Sequence, residues 1–265
     1  MTKKLTTDVS QCVRVSVVTV IYNAASTVRP TLDSVLTQDY PNIEYIIIDG
    51  GSTDGTLDIL EEYRGRVAHL SSGPDYGIYD AMNKGLAVAT GKWVNFMNAG
   101  DSFPHNRVVS SALSQADEGD VVLYGAVEIC YPHFKRVQKP GNLRRLWSGM
   151  QFSHQAAFIS TKYHKAHPYD IGFRITADLH FFYHAYLHGV KFRELSALVA
   201  SVNTGGVSEL GRVRTILECA SAVCDGRFRP AVRAYFLVRA FDAILRKILK
   251  RVLPYAVTRW LILHK

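Results

Sequence analysis

Four cysteines in 265 residues, Cys12, Cys130, Cys219 and Cys224, are too few and too scattered for a disulfide framework. No Cys-x-x-Cys pair and no His/Cys grouping of ligand spacing accompanies them, so zinc is not expected, and a reducing cytosolic setting fits best. No stretch approaches the roughly 18 uncharged apolar residues of a membrane-spanning helix. The first residues, MTKKLTTDVSQC, carry two lysines but no apolar run, and no secretory signal is expected from them. Low-complexity segments and internal repeats are also missing. With 48% apolar residues, the chain reads as one large domain with an appendage, long enough to bury a sizeable core.

The charge is present but uneven. Residues 211–265 hold 12 Lys/Arg and 3 Asp/Glu, a net of +9, whereas the remaining 210 residues carry 19 against 20, a net of −1. A basic tail on a neutral body points to an anionic surface rather than to an anionic active site. From Ala231 to Leu253 a helical wheel places Leu237, Phe241, Ile244, Leu245, Ile248 and Val252 on one arc. Arg239, Arg246, Lys247 and Lys250 fall opposite, Pro254 ends the helix, and Trp260 lies close behind. Such a helix suits the plane of an anionic bilayer. It equally suits packing on the domain with its basic side in water.

The first half alternates strand and helix periods. Val15–Ile21, Tyr45–Ile48, Val67–Leu70 and Trp93–Met97 read as strands. Ser26–Leu36, Thr53–Tyr63 (capped by Ser52 or Thr53) and Ile78–Ala89 read as helices. This rhythm predicts a mainly parallel α/β sheet with right-handed crossovers. Further on, Val121–Tyr124 and Glu128–Tyr131 read as two strands, Thr176–Leu187 as a helix, and residues 204–208 as a loop.

Several apolar runs end abruptly in Asn, Asp or Gly, which is how a buried parallel strand delivers polar groups to a ligand-binding sheet edge. Asp49 follows four apolar residues and precedes Gly50-Gly51-Ser52. There it accepts hydrogen bonds from a base or ribose, or else shapes the turn. Asp75, Asp54 and Asp80 carry the same ambiguity. Asp101, with Asn98 three residues before and Gly100 between, suits a Mg²⁺ or Mn²⁺ bound jointly with a diphosphate, or else a helix cap. Asp178 at a helix start serves as a general base or as an ordinary N-terminal stabiliser. His154 lies between apolar flanks and reads first as a core residue. His180, His184 and His188 fall at i, i+4 and i+8, but no partner acid is visible to complete a metal site.

The segments VSVVTVIYN, IIIDGGSTDGT, GPDYGIYDAMNKG and NFMNAGD resemble the N-terminal half of family 2 glycosyltransferases, which have the GT-A fold. HQAAF, the isolated Asp178 and TGGVS are similar to the subgroup that builds bacterial exopolysaccharides, colanic-acid transferases among them. The resemblance covers about residues 13–210. It implies a GT-A domain there (13–101 the nucleotide-binding half, 102–210 the acceptor half), between an extension at 1–12 and a basic helical tail at 211–265. It also implies an inverting transferase using a nucleotide-diphosphate sugar. Thr19, Tyr22, Asp49 and Asp75 would hold the nucleoside, and Asn83, Lys84 and Asn98 the ribose and diphosphate region. Asp101 would bind the metal (Mg²⁺ or Mn²⁺) and Asp178 would be the catalytic base. His154, Gln155, Gly205, Gly206 and Ser208 would line the acceptor and phosphate side.

Two positions depart from the family pattern. The usual Asp-x-Asp is Asn98-Ala99-Gly100-Asp101, keeping only the last acid, and Asp178 follows Thr176-Ala177 rather than another acid. The expected acceptor is a lipid-linked or oligosaccharide glycan, met at the cytoplasmic face of the cell membrane through residues 230–265. A sugar nucleotidyltransferase would carry a basic Gly-rich loop where this chain reads Tyr22-Asn23-Ala24-Ala25-Ser26. A nucleic-acid binder would interleave cations with aromatics, and none is expected as a partner. An inactive nucleotide-sugar binder is the remaining alternative.

Overall fold

The β-branched runs form the centre of one mixed sheet. Its strands are β1 (Val15–Ile21), β2 (Ile43–Asp49), β3 (His69–Ser72), β4 (Trp93–Phe96), β5 (Val122–Cys130), β6 (Lys135–Gln138), β7 (Ala157–Ser160) and β8 (Phe192–Asn203). In this computed structural model the described residues are 12–204, 211–226 and 229–252, with side chains through Arg246. Strand order is β3-β2-β1-β4-β7-β5-β6, with β8 also paired to β5. The β1–β2, β1–β4, β2–β3 and β5–β8 pairs are parallel, while β7 runs antiparallel to both β4 and β5. The expected mainly parallel sheet is therefore present, and the antiparallel β7 joins its two parallel parts.

The helices are α1 (Val28–Leu36), α2 (Thr56–Tyr63), α3 (Ile78–Val88), α4 (Val108–Leu113), α5 (Thr161–Ala166), α6 (Ala177–Leu187), α7 (Arg212–Cys224) and α8 (Pro230–Val252). Alternation along the strands splits the core into two layers. Val18, Val20, Ile46 and Ile48 pack with Met82 and Leu86 of α3 and Leu179 and Phe182 of α6. Val15, Val17, Ile21 and Ile47 pack with Leu32 of α1, Leu60 of α2 and Val109 of α4. A third, smaller cluster joins Ile216 of α7 to Phe236, Ala240 and Ala243 of α8. Val223 of α7 also enters the α3/α6 layer, so α7 is part of the domain's own packing.

Three local expectations change. The helix expected from Thr53 starts at Thr56, after Gly55 at φ +90°. Ser52 donates its hydroxyl to Asp49, and it is Asp54 that receives the Thr56 amide. The two strands expected around Gly125 are one, β5, with a register irregularity against β8 between Tyr124 and Val127. A Cβ at Gly125 would lie 2.6 Å from Val199 Cγ2 and 2.7 Å from the Ala197 carbonyl, so only glycine permits the continuous pairing. Finally, α8 packs on α7 through Phe236, Ala240 and Ala243 and turns the expected apolar arc outward. Leu237, Val238 and Phe241 are 61%, 69% and 67% exposed. Arg239 instead faces the domain, where it donates to the Ser148 carbonyl. Ile248, Val252, Pro254 and Trp260 lie outside the described side chains.

Gly125→Ala should destabilise the fold by about 1–3 kcal/mol, the usual cost of forcing an atom into a close-packed site. Urea denaturation measures this, and a change below about 0.5 kcal/mol would show that β8 can move aside.

Candidate active site

The carboxyl ends of β1, β2 and β3 are tied together by one buried carboxylate. Asp49 Oδ2 accepts from the amides of Gly51 and Ser52 (both 3.0 Å) and from Ser72 Oγ (2.6 Å), while Oδ1 accepts from Ser52 Oγ (2.5 Å). Ser52 Oγ in turn accepts from the Asn23 amide at 2.8 Å, and Asn23 Oδ1 accepts from the Thr53 amide at 2.9 Å. Asn23 holds φ +47°, a left-handed conformation that Asn tolerates. Asp49 thus shapes the floor of a cleft through four bonds within the chain.

Above that floor lie Tyr22 and Asp75. A Cβ on Gly50 would fall 2.3 Å from Asp75 Oδ2 and 3.4 Å from the Tyr22 ring, so both side chains close over a bare backbone. Asp75 Oδ1 accepts from the Gly77 amide at 2.8 Å, and Tyr22 is 66% exposed. An open aromatic ring beside a carboxylate oxygen is a surface suited to a nucleoside.

Thr19 and Asn83 are placed elsewhere. Thr19 is fully buried, with its hydroxyl 3.0 Å from Tyr45 Oη in the core. Asn83 exchanges two hydrogen bonds with the Tyr169 backbone (2.8 and 3.0 Å), fastening α3 to the chain before α6. Lys84 reaches the Pro74 carbonyl at 2.9 Å and Asp80 at 3.0 Å, and it stays half-exposed.

Asp101 and Asp178 are linked by a dipeptide. Gln155 Nε2 donates to Asp101 Oδ2 at 2.7 Å, and the Asn203 amide donates to Asp101 Oδ1 at 3.2 Å. His154 lies 3.2 Å by Nδ1 from Asp178 Oδ2 and 3.0 Å by Nε2 from Asn98 Nδ2. The Asn98 amide donates to Nε2, so the imidazole proton sits on Nδ1 and is donated to Asp178. Asp178 Oδ1 accepts from the Leu179 amide at 2.8 Å and lies 2.9 Å from Tyr79 Oη. His154 and Gln155, read first as core and acceptor-side residues, therefore bridge Asp178 to Asp101.

Burial pushes the Asp101 carboxyl above the usual carboxylate range, against the Gln155 and Asn203 hydrogen bonds that lower it. Asn98 Oδ1 is buried without a hydrogen-bond partner among the described residues. A buried carboxylate and an orphaned amide oxygen three residues before it form an oxygen donor set that suits a hard divalent cation. Gly205, Gly206 and Ser208 lie outside the described residues.

Sequence reading missed Tyr79 and Glu218. Tyr79 falls within the GPDYGIYDAMNKG run, but its partner Asp178 is 99 residues away. Glu218 of α7 accepts from the amides of Ile175 (2.6 Å) and Thr176 (3.1 Å), anchoring the chain just before the helix that presents Asp178. Nothing in the sequence marks that pairing. The histidine run needs correction as well, because an acid does accompany it. Asp225, at the end of α7, lies 3.8 Å from His180 and 3.6 Å from His184.

The family model described as "Glycosyl transferase family 2" matches residues 16–182. A PGL/p-HBAD biosynthesis glycosyltransferase of Mycobacterium bovis is 31% identical over 202 residues, covering 73% of this chain and 78% of its own. An uncharacterized glycosyltransferase of Mycobacterium tuberculosis is 37% identical over 180 residues, covering 65% and 69%. The fold is similar to that of S. aureus TarS in complex with UDP (TM-score 0.65, 20% identity, 92% of this chain and 76% of that one). It is also similar to a Pyrobaculum calidifontis mannosyltransferase in complex with GDP-Man and Mn²⁺ (TM-score 0.64, 18% identity, 97% and 81%). These neighbours identify the sheet and its helices as a GT-A fold.

The raised Asp101 carboxyl gives a signed pH dependence. Cation binding needs the carboxylate, so Mn²⁺ affinity should fall as pH is lowered, with a midpoint above the usual carboxylate range. Calorimetric titration across pH reads this directly, and Asp101→Ala should remove most of the affinity. A midpoint at or below an ordinary aspartate's would contradict the assignment.

Proposed function

Since the chain belongs to glycosyl transferase family 2, we propose that it is an inverting glycosyltransferase acting on a glycan acceptor, with a nucleotide-diphosphate sugar as donor. The observation that carries this reading is the hydrogen-bonded series joining Asp101 to Asp178 through Gln155 and His154. It supports a reading in which Asp101 binds the cation and Asp178 serves as the base on two sides of one cleft. The nucleoside lies against Tyr22 and Asp75, on the floor that Asp49 shapes. Asn83 and Thr19 support this cleft from behind, and Lys84 borders it at the start of the diphosphate region.

Asp178 removes the proton from an acceptor hydroxyl as that oxygen attacks the anomeric carbon. The sugar–phosphate bond breaks on the opposite face, and the nucleoside diphosphate leaves with the bonding electrons. Tyr79 and the Leu179 amide hold Oδ1 and His154 holds one side of Oδ2, leaving the other Oδ2 lone pair to take the proton. Mg²⁺ or Mn²⁺ held by Asp101 with Asn98 would supply positive charge opposite the diphosphate. The complex of a structural neighbour with GDP-Man and Mn²⁺ supports this part of the reading.

The acceptor is lipid-linked. A cavity of about 800 Å³ lies between residues 145–151, α7 and α8, and it is lined by Arg145, Arg212, Arg239, Ile216, Tyr235 and Phe236. No acid stands among the described residues of its wall, a composition suited to a phosphate next to an apolar chain. Cys219 on the same wall is close enough to Asp178 that this charge adds to the burial pushing its thiol up to about 12. Beside the cavity, α8 presents Leu237, Val238, Phe241, Ile244 and Leu245 to solvent. No described helix is long and apolar enough to cross a membrane. The exposed apolar face, on a segment whose sequence is rich in Lys and Arg, therefore supports peripheral contact with an anionic bilayer, on the cytoplasmic side where nucleotide sugars are made. A Bacillus subtilis relative named as a putative teichuronic acid biosynthesis glycosyltransferase, 39% identical over 99 residues, supports a role in surface polysaccharide assembly.

Asp178→Asn should lower turnover by about 100-fold or more while leaving donor Kd within about twofold. Near wild-type turnover would remove Asp178 from the base position. Leu237→Glu combined with Phe241→Glu leaves the core untouched. It should weaken sedimentation with anionic liposomes by roughly tenfold. Unchanged sedimentation would move the membrane contact away from α8.

A further inference from the structure

Outside the cleft, His180, His184 and Asp225 bring three ligand atoms within 4.8 Å of one another. We propose that these residues form a separate transition-metal site, selective for Zn²⁺-like ions, that clamps α7 to α6. The two histidines are one turn apart on α6, so their imidazoles lie on the same face, with ring centroids 4.5 Å apart. Asp225 closes α7 at φ +44°, a left-handed conformation at the helix end. From there its carboxylate reaches across to α6, with Oδ1 3.8 Å from His180 Nε2 and Oδ2 3.6 Å from His184 Nε2.

Those separations are too long for hydrogen bonds. They run to the two oxygens of one carboxylate and exceed by a few tenths of an ångström a tetrahedral edge, about 3.4 Å when ligands sit at about 2.1 Å from a metal, while the three ligand atoms together fall within 4.8 Å of one another. Inward movement of the side-chain ends, chiefly that of the half-exposed Asp225, would complete the geometry. Asp225 is 50% exposed and the imidazoles about half as much, with His184 Nε2 itself buried, so water as a fourth ligand would enter from the Asp225 side. Two imidazoles and one carboxylate suit Zn²⁺, Co²⁺ or Ni²⁺. Mg²⁺ and Ca²⁺ prefer oxygen alone. Phe173, stacked on the His180 ring with centroids 4.9 Å apart, restrains one ligand before metal arrives.

The position of the triad gives the clamp its consequence. Glu218 stands two turns before Asp225 on α7, where it receives the Ile175 and Thr176 amides at the start of α6. With metal bound, α7 would hold α6 at its first turn and again at its middle. That first turn carries Asp178, so the clamp would stiffen one wall of the cleft. The site itself does not depend on the transferase reading.

The test uses the full chain, stripped with EDTA and dialysed. Calorimetry with ZnCl₂ should show one tight site per chain, and Zn²⁺ should raise Tm. Co²⁺ should give the visible absorption of a four-coordinate site with imidazole ligands. Asp225→Ala and His184→Ala should each weaken Zn²⁺ binding by roughly tenfold or more. Asp101→Ala should keep the Zn²⁺ site and its Co²⁺ spectrum, which separates this site from the donor-side cation. Failure of the wild-type chain to bind Zn²⁺ would overturn the proposal. So would Zn²⁺ affinity that survives in the Asp225→Ala variant. If a variant loses its fold, the Co²⁺ spectrum of the wild-type chain decides alone, and an octahedral, water-like spectrum counts against the site.

Discussion

The candidate site depends on one buried polar network more than on any single residue. Asp101 and Asp178 never touch, yet each is held by a member of the pair His154-Gln155 at the mouth of β7. Three donors converge on Asp178, and two on Asp101. In a low-dielectric interior such bonds are strong when complete and costly when broken, so the network fixes both carboxylates in place before any ligand arrives. Asn98 Oδ1 is a buried oxygen beside it left without a partner among the described residues, and that position is where a cation would complete the set. The raised Asp101 carboxyl has the same origin: a charge kept in a dry place until a counter-charge is brought to it.

Around this network the fold divides the work. The parallel strands β1 to β3 end in loops that Asp49 sews together, giving a rigid floor with Tyr22 and Asp75 above it. The antiparallel β7 brings the His154-Gln155 pair in from the other half of the sheet. Helix α6 supplies Asp178, and α7 supports α6 through Glu218. The C-terminal helices thus do two things at once. They brace the helix that carries the candidate base, and α8 turns an apolar face outward beside an arginine-lined cavity.

What the sequence could show follows from where the information resides. Continuous β-branched runs such as VSVVTVI and EYIIID suit strands buried on both faces, so β1 and β2 were legible. The 3.6-residue spacing of Met82, Leu86 and Ala89 made α3 legible in the same way. Features set by distant contacts were not. The continuity of β5 depends on how closely Gly125 approaches Val199, and the start of α2 on Ser52 being engaged by Asp49 while Asp54 takes the Thr56 amide. Asp101 and Asp178 stood out as acids at element ends. Their connection spans 54 residues to Gln155 in one case and 24 to His154 in the other, which no local pattern records. Asn83 and Thr19 lie inside recognisable motifs, yet their side chains are engaged by Tyr169 and Tyr45 in the scaffold.

The central claim is that this cleft binds a nucleotide-diphosphate sugar together with a divalent cation at Asp101. Thermal unfolding of the full chain with UDP-, GDP- and dTDP-sugars, each in Mn²⁺, Mg²⁺ or EDTA, tests it most directly. One nucleotide class should raise Tm, and only when the cation is present. Equal stabilisation in EDTA would detach Asp101 from the donor, and no shift with any donor in any metal would contradict the site as drawn.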